Sequence, residues 1–61
     1  RVALVLLEML KDPEREVRKH VIEAMGELGD PRTLPALQEI MAQRGDRELH
    51  ALAKGALEKF N

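Results

Sequence analysis

Apolar side chains recur along this chain at intervals of three and four, the spacing that places them on one face of an α-helix. Val17, Val21, Ala24, Met25 and Leu28 form one such stripe, with Glu14, Arg18, Lys19, Glu23 and Glu27 mostly opposite it. Leu49, Leu52, Ala53, Ala56, Leu57 and Phe60 form a second, and Leu34, Leu37, Ile40 and Met41 a third. Residues 2–10 have a different character, because only Glu8 interrupts the apolar run and no polar face is visible. A helix hydrophobic all round seeks burial all round. Three short neighbours cannot cover every side of it, so Val2, Val5, Leu6 or Met9 should stay partly uncovered. No segment alternates with period two, and no strand is predicted.

The stripes are separated by helix-boundary signals. Asp12-Pro13, Gly29-Asp30-Pro31 and Gly45-Asp46 each precede an apolar-periodic segment. Aspartate accepts from the free amides at a helix start, proline fits the first turn, and glycine ends the preceding helix in a left-handed conformation. Four helices are therefore expected, over residues 2–11, 13–28, 31–44 and 46–60. Pro35 lies in the first turn of the third and moves its regular start toward Thr33 or Leu34. Gly26 and Gly55, inside helices, read as sites of close helix packing.

The four segments are two copies of one hairpin. Leu4, Leu7 and Leu10 match Leu34, Leu37 and Ile40 at an offset of 30, and the second helix matches the fourth at an offset of 32. This internal period near 31 marks a repeat architecture, in which each unit buries its apolar stripe only against its neighbours. The fold class is all-α: four antiparallel helices forming about two stacked helical hairpins, in a single domain of 61 residues. Such a chain has little core and no cysteine for a disulfide, so it either packs as a four-helix unit or associates with itself through the apolar first helix.

The stretch DPEREVRKHVIEAMGELGDPRTLPALQEIM, residues 12–41, resembles the HEAT repeat family, particularly the short HEAT-like repeats of the phycocyanobilin lyase type. Asp12-Pro13, Val17-Arg18, the run from Ala24 to Asp30, and Leu34-Pro35-Ala36-Leu37 carry the resemblance. It implies antiparallel helix pairs stacked into a right-handed superhelix whose concave face is lined by the second helix of each pair. In that frame residues 1–11 are a partial repeat, 12–44 a complete repeat and 45–61 a partial repeat. His20, Ile22 and His50 depart from the family pattern, which has small residues at the first two positions and Arg at the third. Arg18 and the turn aspartates resemble the family's polar ladder.

Composition narrows the chemistry. The chain has no Ser, Cys or Tyr, and Thr33 is its one hydroxyl, so the usual oxygen and sulfur nucleophiles are absent. His20 and His50 lie on different helices and lack the spacing of a metal site. Glu14 and Arg18 form an i,i+4 pair, and the other carboxylates suit solvated faces and helix starts. Gly26 and Gly29 lack the Lys and preceding strand of a phosphate loop. Met9, Met25 and Met41 read as core and gap-filling residues. No catalytic residue, cofactor site or metal site is expected.

A net charge of −1, with basic and acidic residues interleaved and the one aromatic, Phe60, on an apolar stripe instead of free for base stacking, argues against nucleic acid. The leading apolar run is too short to span a membrane and is not followed by a small-residue cleavage site. Lack of cysteine fits a reducing, cytoplasmic setting. The expected function is a non-catalytic protein-interaction or scaffold module. Its candidate binding face is Val5, Glu8, Met9, Pro35, Gln38, Glu39 and Ala42, the positions left over once the core stripe is assigned. An accessory role in a bilin lyase-like protein and a consensus repeat fragment without native function are the alternatives.

Overall fold

The computed structural model describes residues 2–43 and 45–60. Positions 1, 44 and 61, which the sequence reading used as ends of its repeats and of the third helix, lie outside the described residues. Within them are four α-helices: α1 (Val2–Met9), α2 (Arg15–Leu28), α3 (Leu34–Ala42) and α4 (Arg47–Glu58), with a 3-10 turn at Pro31–Thr33 before α3.

Local chemistry sets these boundaries, which are tighter than the periodicity suggests. Asp12 is not the cap of α2: its Oδ1 accepts from the Glu14 amide at 2.8 Å, which turns the chain before the helix and leaves Pro13 in the loop. The N-cap is Glu14, whose side chain makes no capping bond. Asp30 accepts from the Arg32 amide and opens the 3-10 turn, and Asp46 accepts from the Leu49 amide at 3.1 Å and caps α4. Gly29 ends α2 at φ +67°, with its amide bonded to the Met25 carbonyl. α3 ends differently from the glycine stop expected there: Gln43 turns extended and caps it, ahead of Gly45.

The helices form two layers. α4 is the hub and packs against both α2 and α3, while α1 packs on α2. Ile22, Met25, Leu37 and Ala53 are wholly buried, joined by Val21 and Ala56, and Leu6, Leu10, Val17, Ile40, Leu49 and Phe60 close round them. α2 approaches α4 closely at Gly26, where a Cβ would come within 3.0 Å of both Cα and Cβ of Ala56. A Cα radius of gyration of 10.2 Å matches the ~10.5 Å of a compact chain of this length.

Three expectations are corrected by this packing. Ile22 lies off the predicted stripe, yet it is wholly buried, because Leu7 and Leu10 from the α1 side, Ala36 and Ile40 of α3 and Leu49 of α4 gather on that side of α2. Leu28, assigned to the stripe, is 42% exposed at the last position of α2, just ahead of the Gly29 turn. Gly55 has open space where its Cβ would stand, so close packing does not explain it. The first helix behaves as its composition requires: Ala3 is buried, while Val2, Leu4, Val5 and Met9 are 60%, 58%, 54% and 42% exposed.

Candidate protein-interaction surface

One cluster of charge and one further ion pair link α2 to the α4 segment. The Arg15 guanidinium donates to both carboxylate oxygens of Asp46, Nε to Oδ2 at 2.7 Å and Nη2 to Oδ1 at 2.9 Å, and Nη2 also reaches Glu48 at 2.8 Å. Lys19 Nζ stands 2.9 Å from the other oxygen of Glu48. A forked guanidinium matches a carboxylate in geometry as well as charge. The bond from Arg15 and the Leu49 amide hold the Asp46 carboxyl well below the usual range, and Lys19 and then Arg15 lower Glu48. The same contacts raise Arg15 and Lys19 above their ordinary values. At the other end, Lys59 Nζ meets Glu27 at 3.0 Å.

Sequence spacing pointed elsewhere. The expected Glu14–Arg18 pair does not form; Arg18 Nη1 donates to the Asp12 carbonyl at 2.7 Å and ties the α1–α2 loop to α2. The ladder role read for Arg18 and the turn aspartates is divided, with Arg18 on a turn carbonyl and Arg15 on the turn carboxylate of Asp46. The signal that could have revealed Arg15 is the offset of 32, which pairs Arg15 with Arg47 at the start of α4, beside Asp46 and Glu48.

The seven residues of the candidate binding face are all exposed. Val5, Glu8 and Met9 share one side of α1, and Pro35, Gln38, Glu39 and Ala42 one side of α3, in matching register at the offset of 30. α1 and α3 make little direct contact. Between them runs a groove of about 350 Å³ with Leu7, Leu10, Ile22, Ile40 and Leu49 along its walls and Lys11, Arg18, Glu39 and Gln43 at its polar edge. Glu39 belongs to this groove. Met9 instead borders a shallower depression of about 320 Å³ on the α1–α2 side, with Leu6, Val17, His20, Val21 and Ala24. Glu8 is tied loosely to Lys11, 3.9 Å away and as exposed as itself.

Among the described residues no buried side-chain nitrogen or oxygen lacks a hydrogen-bond partner. Thr33, the one buried polar side chain among the described residues, donates from Oγ1 to the Asp30 carbonyl at 2.7 Å, and Asp30 pairs with Arg32, which keeps the Asp30 carboxyl low. His20 is exposed on α2, and His50 half-buried on α4. Among the described residues no three His, Asp or Glu side chains converge as a metal site would require, and no helix is long and apolar enough to cross a membrane.

Stacked helix pairs with a period near 31, an interhelical glycine contact and ion pairs between successive repeats define a helical-repeat protein. The sequence pattern of the HEAT repeats matches residues 1–58, and the chain belongs to that family. Comparison with curated proteins and with solved structures returned no match. The family match does not reach the narrower phycocyanobilin lyase type.

Proposed function

We propose that this chain is a non-catalytic protein-interaction module whose α1–α3 side receives a helix or an extended peptide. The groove between α1 and α3 carries this reading, because its apolar walls and few polar edge groups suit a side chain of a partner polypeptide. Of the proposed face Val5, Glu8, Met9, Pro35, Gln38, Glu39 and Ala42, Glu39 lies at the groove itself, and the others would extend it over the exposed sides of α1 and α3 as a partly apolar, mildly acidic strip. We also propose residues 1–11, 12–44 and 45–61 as partial, complete and partial repeats. The chemistry fits a partner with basic and aliphatic side chains, met in a reducing compartment such as the cytoplasm.

Charge reversal tests the face. Glu8→Lys with Glu39→Lys should weaken capture of basic-aliphatic peptides about tenfold in fluorescence anisotropy, with far-UV circular dichroism unchanged. Equal binding by the double variant would remove this face from consideration.

A further inference from the structure

Of the lysines and arginines among the described residues, three are partly buried: Arg15, Arg18 and Lys19. A cation held away from water seeks a counter-charge. Two of the three have one, since Arg15 is forked on Asp46 and Lys19 meets Glu48. Arg18 differs. Its Nη1 donates to the Asp12 carbonyl at 2.7 Å, and no carboxylate of the described residues pairs with it. That bond occupies one arm of the guanidinium and leaves the other without a protein partner among the described residues.

What Arg18 borders is the groove between α1 and α3, to which all four helices contribute. Leu7 of α1, Ile22 of α2, Ala36 and Ile40 of α3 and Leu49 of α4 supply its apolar walls, and Lys11 stands with Arg18 at its edge. Glu39 lines it from α3, and although both border the same groove, it makes no ion pair with Arg18. Its volume of about 350 Å³ falls at the low end of the ~300–1,000 Å³ typical of ligand sites, room for one large side chain with a charged group beside it. The groove thus asks three things of an occupant: an apolar body, an anion for Arg18 and a cation for Glu39.

We infer that this groove receives the C-terminal residue of a partner polypeptide that ends in a large aliphatic side chain shortly after a basic one. The aliphatic side chain enters between the apolar walls, the terminal carboxylate takes the unengaged arm of Arg18 with Lys11 adding attraction, and the basic side chain lies over Glu39. The inference rests on the reading of the α1–α3 side as a peptide-binding face and names the end of the peptide that is bound. Charge selects this occupant over others of similar shape. A free fatty acid satisfies Arg18 and offers nothing to Glu39, and an aliphatic side chain within a polypeptide brings no anion to Arg18. A forked guanidinium suits a carboxylate in geometry as well as charge, and capture of a terminal carboxylate is a recurring mode of peptide recognition.

The test uses the intact 61-residue chain and a short peptide, Gly-Lys-Ala-Lys-Leu, fluorescently labelled at its amino end and made both as the free acid and as the C-terminal amide. The acid should saturate in anisotropy below about 1 mM. The amide should bind about tenfold more weakly or worse, because amidation removes a charge-assisted hydrogen bond. Arg18→Gln should weaken the acid by the same factor and leave the amide where it was, so that the preference vanishes; a role confined to tying down the Asp12 carbonyl would weaken both peptides together and overturn the inference. Lys11→Glu, at an exposed position, should weaken the acid by a smaller factor with the melting curve retained. Equal binding of acid and amide by the parent would also overturn it, and weaker binding of both by the Glu8→Lys, Glu39→Lys variant would then show that the peptide-binding face stands without it. Failure of both peptides to bind would remove the two readings together. Octanoate that displaces the acid peptide at equal concentration would give the groove to free aliphatic acids, and sedimentation in which the chain pairs with itself until Arg18→Gln is introduced would give it to a second copy; either result overturns the assignment.

Discussion

A methyl group added at Gly26 would lie 3.0 Å from the backbone Cα of Ala56, and backbone cannot swing aside as a side-chain tip can. The helix-propensity gain of ~1 kcal/mol that alanine brings is therefore opposed by overpacking that typically costs ~1–3 kcal/mol. Gly26→Ala should lower the melting temperature, and Gly26→Val should lower it further. Gly55 has nothing within 4 Å of its would-be Cβ, so Gly55→Ala should stabilise by ~0.5–1 kcal/mol in a thermal melt. The two glycines look alike in the sequence, each within an amphipathic helix. What differs is the neighbour, and a neighbour 30 residues away is invisible to helical periodicity. Ile22 escapes helical periodicity for the same reason: its neighbours come from other helices, and Ile22→Ala should cost ~2–5 kcal/mol despite its place beside the predicted stripe.

Between elements, the cluster that joins α2 to α4 sets how the fold responds to acid. Arg15 and Lys19 hold Asp46 and Glu48 below the ordinary carboxylate range. A carboxyl whose folded pKa lies below its unfolded value contributes its full stabilisation above the unfolded value, ~4, and loses it as pH falls toward the folded one. Melting temperature should thus be flat near neutrality and fall as pH drops below ~4. Arg15→Leu should melt lower than the parent at pH 7 and show a shallower acid limb, the two curves converging near pH 2; parallel limbs in both proteins would show that Arg15 is not what depresses these carboxyls. Asp46 was legible as a helix start because capping is local. Its bond to Arg15 was not, since which of several basic residues on α2 reaches it depends on how α2 and α4 are rotated against each other. Local spacing favoured Glu14 with Arg18, but Arg18 is drawn to the Asp12 carbonyl instead.

For the molecule as a whole, the two ends of the stack differ in polarity. The α1–α2 side exposes Val2, Leu4, Val5 and Met9 together with Leu28, whereas the outer side of α4 exposes Arg47, Lys54 and Glu58.

The residue pattern by itself determined the helical class, the number of helices, the repeat period and the family, because three-and-four periodicity and Asp, Pro and Gly punctuation act within a few residues of one another. It also determined that the first helix would be left partly uncovered, since eight apolar residues among ten exceed what three short neighbours can shield. Tertiary structure alone decided which side of each helix is inside and which charges meet between α2 and α4. Those outcomes depend on the rotation and approach of helices some thirty residues apart, where a single small residue such as Gly26 sets the distance at which everything else must fit.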